Sequence, residues 1–238
     1  MNKIIAIAIL GGAATVAFAS FTESFDIGPT GWNDGSVTTF GNTAGGDDMV
    51  FSSGTWHAQN ESVALGTTGW FNSSPSNSGA GALTASFSNT GLTGTINNWM
   101  MTPTISLANG DTFSFFTRTV VGATFPDRLL VKMSLSGAST ATANFSTTLL
   151  TINPNLLPGT ANYPDIYTQF SITVSGLASP TSGRLAFNYN VTDGGLNGLN
   201  SNVVRIDDVV YTSAPVPEPA SLAVVSIGAV ALLQRRKK

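Results

Sequence analysis

The chain has 238 residues, of which only 10% are charged and 42% are hydrophobic, with 25 Gly and 11 Pro. That is far below the roughly 25% charge of an ordinary soluble domain, apolar enough for one core and too turn-rich for a helical bundle. Five of the ten basic residues sit at the two ends, so residues 20–214 carry five basic against twelve acidic side chains, which excludes the basic footprint a nucleic acid needs.

The first 19 residues read as a secretory signal peptide. Lys3 supplies a positive n-region, residues 4–14 form a short apolar run, and Ala17-Phe18-Ala19 fits the small-x-small cleavage pattern. Cleavage there leaves Ser20 first and places the body, residues 20–213, outside the cytoplasm by way of the Sec pathway. The chain has no cysteine, so neither disulfides nor thiolate chemistry support it there.

Along the body no segment keeps a helical period, whereas several alternate with period two. Phe113 and Phe115 share a face against Thr112 and Ser114. Leu129, Val131, Met133 and Leu135 oppose Arg128, Lys132 and Ser134. Phe170, Ile172 and Val174 repeat the pattern, as do Leu185, Phe187, Tyr189 and Val191 opposite Arg184, Asn188 and Asn190. Clusters such as Ala108-Asn109-Gly110-Asp111 and Thr192-Asp193-Gly194-Gly195 separate these runs as turns. One-sided strands of this kind predict antiparallel sheets stacked face to face, an all-β sandwich or jelly roll.

Two strands carry acids where apolar side chains belong. Period two places Glu23 on the face of Phe21 and Phe25, and Asp208 on the face of Val204, Ile206 and Val210. First and last strands of a jelly roll lie side by side, which would bring Glu23 and Asp208 together. Two inward carboxylates need a partner, and an all-oxygen setting favours Ca²⁺, with Asp26 and Asp207 as further ligands. The alternatives are a shifted register, or pairing of one acid with Arg205 or Arg184. Asp47 and Asp48, after Gly45-Gly46, read as solvated turn residues.

Trp56 and Trp70 lie in turn-rich segments flanked by Ser, Thr and Asn, where exposed rings would stack on sugars. Burial is the default for a large aromatic. His57 is the sole histidine, and with no Gly-x-Ser-x-Gly elbow in the chain the residues favour a non-catalytic module. A glycosidase would need two carboxyl groups flanking one bond, and nothing local marks such a cleft.

The stretch Asn98-Trp99-Met100-Met101-Thr102-Pro103, Ile105-Ser106-Leu107 and Gly110-Asp111-Thr112-Phe113-Ser114-Phe115 resembles the choice-of-anchor J domain, related to cleaved-adhesin and MAM-like jelly rolls. Met100 and Met101 stand where that family favours aliphatics. The resemblance implies a β-sandwich of surface proteins, and makes calcium near the termini plausible.

At the C-terminus, Pro217, Glu218 and Pro219 precede the apolar run 220–233 and the basic cluster Arg235, Arg236, Lys237 and Lys238. Fourteen residues are short for a span of ~20, and the basic end is a stop-transfer that holds the tail in the cytoplasm. Residues 214–238 thus resemble the PEP-CTERM sorting signal, with a short hydrophobic helix that enters the inner membrane transiently. That resemblance implies an exosortase partner, a Gram-negative envelope and delivery to the outer surface or matrix. The reading is therefore an exported adhesion or binding module acting on exopolysaccharide or other surface glycans. Its rivals are a carbohydrate-binding module, a structural matrix subunit and, less favoured, a glycoside hydrolase.

Overall fold

The computed structural model describes residues 20–32 and 39–215. The signal peptide and the Pro-Glu-Pro tail lie outside the described residues. Among the described residues thirteen strands follow in chain order: β1 (Phe21–Glu23), β2 (Asp47–Phe51), β3 (Gly54–Asn60), β4 (Phe71–Ser73), β5 (Ala82–Ser86), β6 (Gly94–Met101) and β7 (Ile105–Leu107). Then come β8 (Thr112–Arg118), β9 (Leu129–Ser134), β10 (Thr147–Ile152), β11 (Thr168–Thr173), β12 (Thr181–Gly194) and β13 (Val203–Thr212).

They form two antiparallel sheets. One runs β11-β8-β13-β5-β4 with β1 added along β13; the other runs β10-β9-β12-β6-β3-β2 with β7 added along β12. The fourteen residues of β12 form its spine, pairing with β6, β7 and β9. The two sheets meet through the alternating residues read from the sequence. Phe187 of one sheet packs 5.5 Å from Phe113 and 4.8 Å from Phe115 of the other, ring centre to ring centre. Leu129, Val131, Met133, Leu185, Tyr189 and Val191 are buried with them. Leu135 is exposed instead, because β9 stops at Ser134 and the chain leaves the sheet there.

Strand β13 departs from period two. Its pairing with β8 slips between Asp207 and Val210, and Asp208 sits in the left-handed region at φ 46°. This bulge moves every later side chain to the opposite face. Val204 and Ile206 point inward as expected, but beyond the slip it is Asp207, Val209 and Tyr211 that are buried. Asp208 and Val210, expected inward, are only half-buried.

Strand β1 pairs with the end of β13, Glu23 opposite Val209, and the Ser213 N–H donates to Ser20 Oγ at 3.1 Å. The first and last described residues thus share one end of the sandwich. Strand β13 brings the chain to this end from the opposite one, a run of ~33 Å at the usual rise per residue.

Candidate functional site

At the terminal end, the side chain of Glu23 points inward, as the sequence pattern requires, and is 1% exposed. Its Oε1 accepts the Phe25 N–H at 2.9 Å. Its Oε2 accepts the Ser52 hydroxyl and the Ser53 N–H, each at 2.8 Å, tying β1 to the β2–β3 turn. The three aspartates clasp the loop between β4 and β5. Asp207 Oδ2 accepts the N–H groups of Asn77 at 2.7 Å and Ser78 at 3.2 Å, and its Oδ1 accepts the Asp208 N–H at 2.7 Å. Asp208 accepts from Asn77 Nδ2 at 2.7 Å and from Ser78 Oγ at 2.6 Å. Asp26 Oδ1 accepts the N–H groups of Ala80 and Gly81. Gly79, at φ 60°, passes so close that a Cβ there would lie 2.0 Å from Asp26 Oδ2.

These environments shift two carboxyls in opposite directions. Burial pushes Asp207 up to about 6, against the pull of its three N–H donors. Around Asp26 burial also pulls upward, but the Ala80 and Gly81 N–H groups and the Ser24 side chain hold it below the usual carboxylate value.

A cleft of ≈ 260 Å³ opens beside Glu23, lined by Ser24, Ser52, Asp208 and Val209 among others. Two of the four proposed calcium ligands reach it. Asp26 and Asp207 do not line it, since the β4–β5 loop occupies their oxygens. Among the described residues, no group of three or more His, Cys, Asp or Glu side chains could hold a metal ion. The fit is therefore narrower than expected: a calcium ion in this cleft would take Glu23 and Asp208, with hydroxyl, carbonyl and water oxygens completing an all-oxygen shell.

The tryptophans expected as sugar platforms are core. Trp56 and Trp70 are both 0% exposed. Trp56 packs edge-on against Phe21 at 5.9 Å and Phe25 at 5.4 Å, and its Nε1 donates to Ser53 Oγ at 2.9 Å. Trp70 donates from Nε1 to the Trp99 carbonyl at 2.8 Å. Their polar neighbours in sequence reflect short strands and turns, and neither ring can reach a ligand.

A polar row that the sequence did not reveal crosses the outer face of the seven-stranded sheet. Asp48 Oδ1 lies 2.8 Å from His57 Nδ1, and His57 Nε2 lies 3.2 Å from Gln59 Oε1. Asp48 is thus the second residue of β2 and partners His57, not a turn residue. Gln59 Nε2 donates to Glu61 at 2.8 Å, and Asn97 Nδ2 reaches Glu61 at 3.4 Å. Asn188 and Asn190 both donate to Asn97 Oδ1, at 2.9 and 3.3 Å, and Arg128 closes the row on Asn190 Oδ1 at 2.6 Å. Thr142, from the β9–β10 connection, donates to Glu61 at 3.0 Å. Beside the row, Trp99 packs 5.8 Å from Phe145, and its Nε1 is buried without a partner. Asn188 and Asn190 were visible as outward residues, but their alignment with Asn97 follows from the β12–β6 register, which no local pattern carries.

No family model matches this sequence, and no curated protein matches it. Solved structures resemble its fold. The K2 cleaved adhesin domain of Lys-gingipain aligns with a TM-score of 0.50 at 13% identity, covering 82% of this chain and 100% of that one. The K1 cleaved adhesin domain of Lys-gingipain from Porphyromonas gingivalis W83 aligns at 0.45 and 18% identity, covering 83% and 99%. The CBM22-1 xylan-binding domain of Paenibacillus barcinonensis Xyn10C aligns at 0.39 and 12%, covering 83% and 98%. The chain shares the fold of that K2 domain. At these identities the likeness speaks for the two-sheet antiparallel sandwich alone.

Proposed function

We propose that the chain is an exported, exosortase-sorted surface or matrix protein whose sandwich is a non-catalytic adhesion module for exopolysaccharide. The observation that carries the binding reading is the row Gln59, Glu61, Asn97, Asn188 and Asn190. Side-chain amides and a carboxylate offer donors and acceptors together, which matches the paired hydroxyls of a sugar chain. Half-buried Asn97, Asn190, Glu61 and Arg128 are reachable by a ligand, while buried His57, Gln59 and Asn188 hold them in place. The two ring nitrogens of His57 are engaged by Asp48 and Gln59, which supports a positioning role over that of a general base.

The test is retention of the full chain on acidic and neutral polysaccharide resins. Asn97→Ala with Asn190→Ala should lower retention at least tenfold while the melting temperature moves little. Equal retention by the double variant would remove this face from the reading. Sorting is read separately, by locating the protein with and without residues 217–219; an unchanged location would sink the exosortase part.

The same proposal includes Ca²⁺ in the cleft beside Glu23 and Asp208. Its support is the inward Glu23 carboxylate, with Asp208 and the hydroxyls of Thr22, Ser24 and Ser52 lining the same cleft. Titration calorimetry with CaCl₂ should give saturable heat that Glu23→Gln abolishes. Absence of heat with the wild-type chain would end the calcium reading and leave the polysaccharide reading standing.

A further inference from the structure

The end of the sandwich opposite the termini is built from the β3–β4, β5–β6, β8–β9 and β12–β13 connections. Residues 62–68, 87–93, 119–126 and 195–202, which form it, contain no charged side chain. They expose Val63 (81%), Leu65, Leu92 (65%), Phe125, Leu196 (67%) and Leu199. Scattered apolar residues are ordinary on a surface; a contiguous group on adjoining loops marks an interaction site. These loops do adjoin. A cleft of ≈ 360 Å³ between Leu65 and Leu92 and another of ≈ 240 Å³ beside Phe125 both border Phe87 and Leu196. The loops are also braced to one another. The N–H groups of Asn197, Gly91 and Ser201 donate to the carbonyls of Leu92 at 2.7 Å, Ala64 at 2.8 Å and Pro126 at 2.9 Å. A braced surface loses little conformational entropy on docking.

We propose that this tip is a homophilic docking surface, on which a second copy of the chain packs its own tip about a two-fold axis. Charge selects the occupant. Residues 20–214 hold five basic and twelve acidic side chains, so two copies repel over most of their surface. The four loops carry no charge of their own, and exposed Asp193, whose carbonyl accepts the Asn200 N–H, is an acid at their rim. A lipid surface would be attracted by a free fringe of Lys or Arg around the apolar loops; the segments hold none, and the two arginines that bracket 119–126 are engaged, Arg118 on the Thr119 carbonyl and Arg128 on Asn190, with Asp127 and Asp193 beside them. The tip is self-complementary, since protruding Leu92 and Leu196 border clefts of their own chemistry, as an isologous contact requires. The position of the chain ends agrees. Ser20 and Ser213 meet at the far end of β13, so a tip-to-tip pair keeps both ends of both copies free and directed apart. Two anchored or matrix-held molecules could then be bridged through their tips.

Sedimentation velocity of the full chain in mild detergent, over a hundredfold range of concentration, should show a monomer–dimer shift. Leu92→Glu with Leu196→Glu should weaken it at least tenfold, while Val50→Glu, at an exposed apolar site on β2, should leave it unchanged. Because the chain lacks cysteine, Leu196→Cys alone gives a second readout that does not depend on the charged variant folding. Under a mild oxidant it should form a covalent dimer, and Val50→Cys should not. A wild-type chain that stays monomeric throughout, or dimers that survive the double Glu substitution, would overturn the proposal. So would cosedimentation with phosphatidylcholine vesicles that the double variant alone loses, which would assign the tip to lipid.

Discussion

The terminal end of the sandwich and its opposite tip each bury a carboxylate in a body that has few cations, yet they treat it differently. At the terminal end Glu23 borders an open cleft, Asp26 and Asp207 hold a loop by its N–H groups, and Asp208 holds the same loop by the side chains of Asn77 and Ser78. At the tip Asp127 lies under the uncharged loops, 1% exposed, accepting from Thr119 Oγ1 at 2.7 Å, Tyr189 OH at 2.6 Å and the Asn202 N–H at 2.7 Å. Among the described residues the contact between an acidic and a basic side chain is that of His57 with Asp48. Elsewhere the acids described above are met by backbone N–H groups, hydroxyls and side-chain amides, which bring fixed geometry without a second charge to desolvate. One end therefore keeps negative charge at an opening. The other withdraws it beneath an apolar crust, where an uncharged partner can be received.

The sharpest way to break this contrast is at Asp127. Asp127→Ala orphans three buried donors and should cost about 3–5 kcal/mol in denaturant unfolding, the range for removing one side of a buried charged network. A loss below 1 kcal/mol would mean that the tip does not rest on this carboxylate. The same residue sets a pH dependence. Burial holds its pKa above the ordinary 3.8, against the hydrogen bonds of Asn202, Tyr189 and Thr119. The folded state therefore binds the proton more tightly than the unfolded one. Its contribution to stability is fullest below about pH 4, and is lost as pH rises through the unfolded value towards the raised folded one. Asp127→Asn should flatten that part of the stability profile, and an unchanged slope would reject the assignment.

The matching change at the terminal end is smaller. Glu23→Ala frees the Phe25 and Ser53 N–H groups and the Ser52 hydroxyl, but the neighbouring cleft lets water replace part of what is lost. About 2–3 kcal/mol is expected from thermal unfolding, below the Asp127 value. A larger loss than at Asp127 would reverse the ranking of the two ends.

How far each end could be read from the sequence follows the same physics. Alternation in β8, β9 and β11 was legible because one face of each strand is core and the other wet; β12 alternates too, although its outer Ala186 and Asn188 are buried. The inward turn of Glu23 was legible for the same reason. The pattern failed at Asp208 because the bulge inserts a residue, and nothing in Asp207-Asp208 announces which of the two takes the left-handed conformation. Trp56 and Trp70 misled because turn-rich flanks describe the chain on either side of a ring, not the sheet stacked over it. The row from Asp48 to Arg128 joins residues as far apart as 48 and 190, so only the assembled register of β2, β3, β6 and β12 aligns it. The tip was hidden likewise: its four loops are ordinary Gly-, Ser- and Asn-bearing turns until β-pairing gathers their leucines.

Tyr189→Phe probes the Asp127 network more gently. It removes a single hydroxyl from the carboxylate and leaves the ring packed in the core, so about 1–2 kcal/mol should be lost. Burial beside Asp127 pushes the Tyr189 phenol well above its usual pKa, so no ionisation of this ring should contribute to the wild-type pH profile below pH 10. Burial raises the other three phenols as well, so a component of the ultraviolet titration at the ordinary tyrosine value that Tyr189→Phe removes would contradict that placement.

The smallest expected effect separates a surface used for folding from one used for docking. Leu92 is 65% exposed and Leu196 67%, so carrying either to Glu forfeits little buried area. Each change should move unfolding stability by less than about 0.5 kcal/mol, as surface substitutions away from structural features do. The Glu introduced at Leu92 would still meet its own copy across a two-fold contact, where like charges are excluded from water together. A change that is nearly silent in the monomer is thus amplified in the pair. If Leu92→Glu instead destabilised the monomer by several kcal/mol, the tip would belong to the core and its exposed leucines would carry no message for a partner.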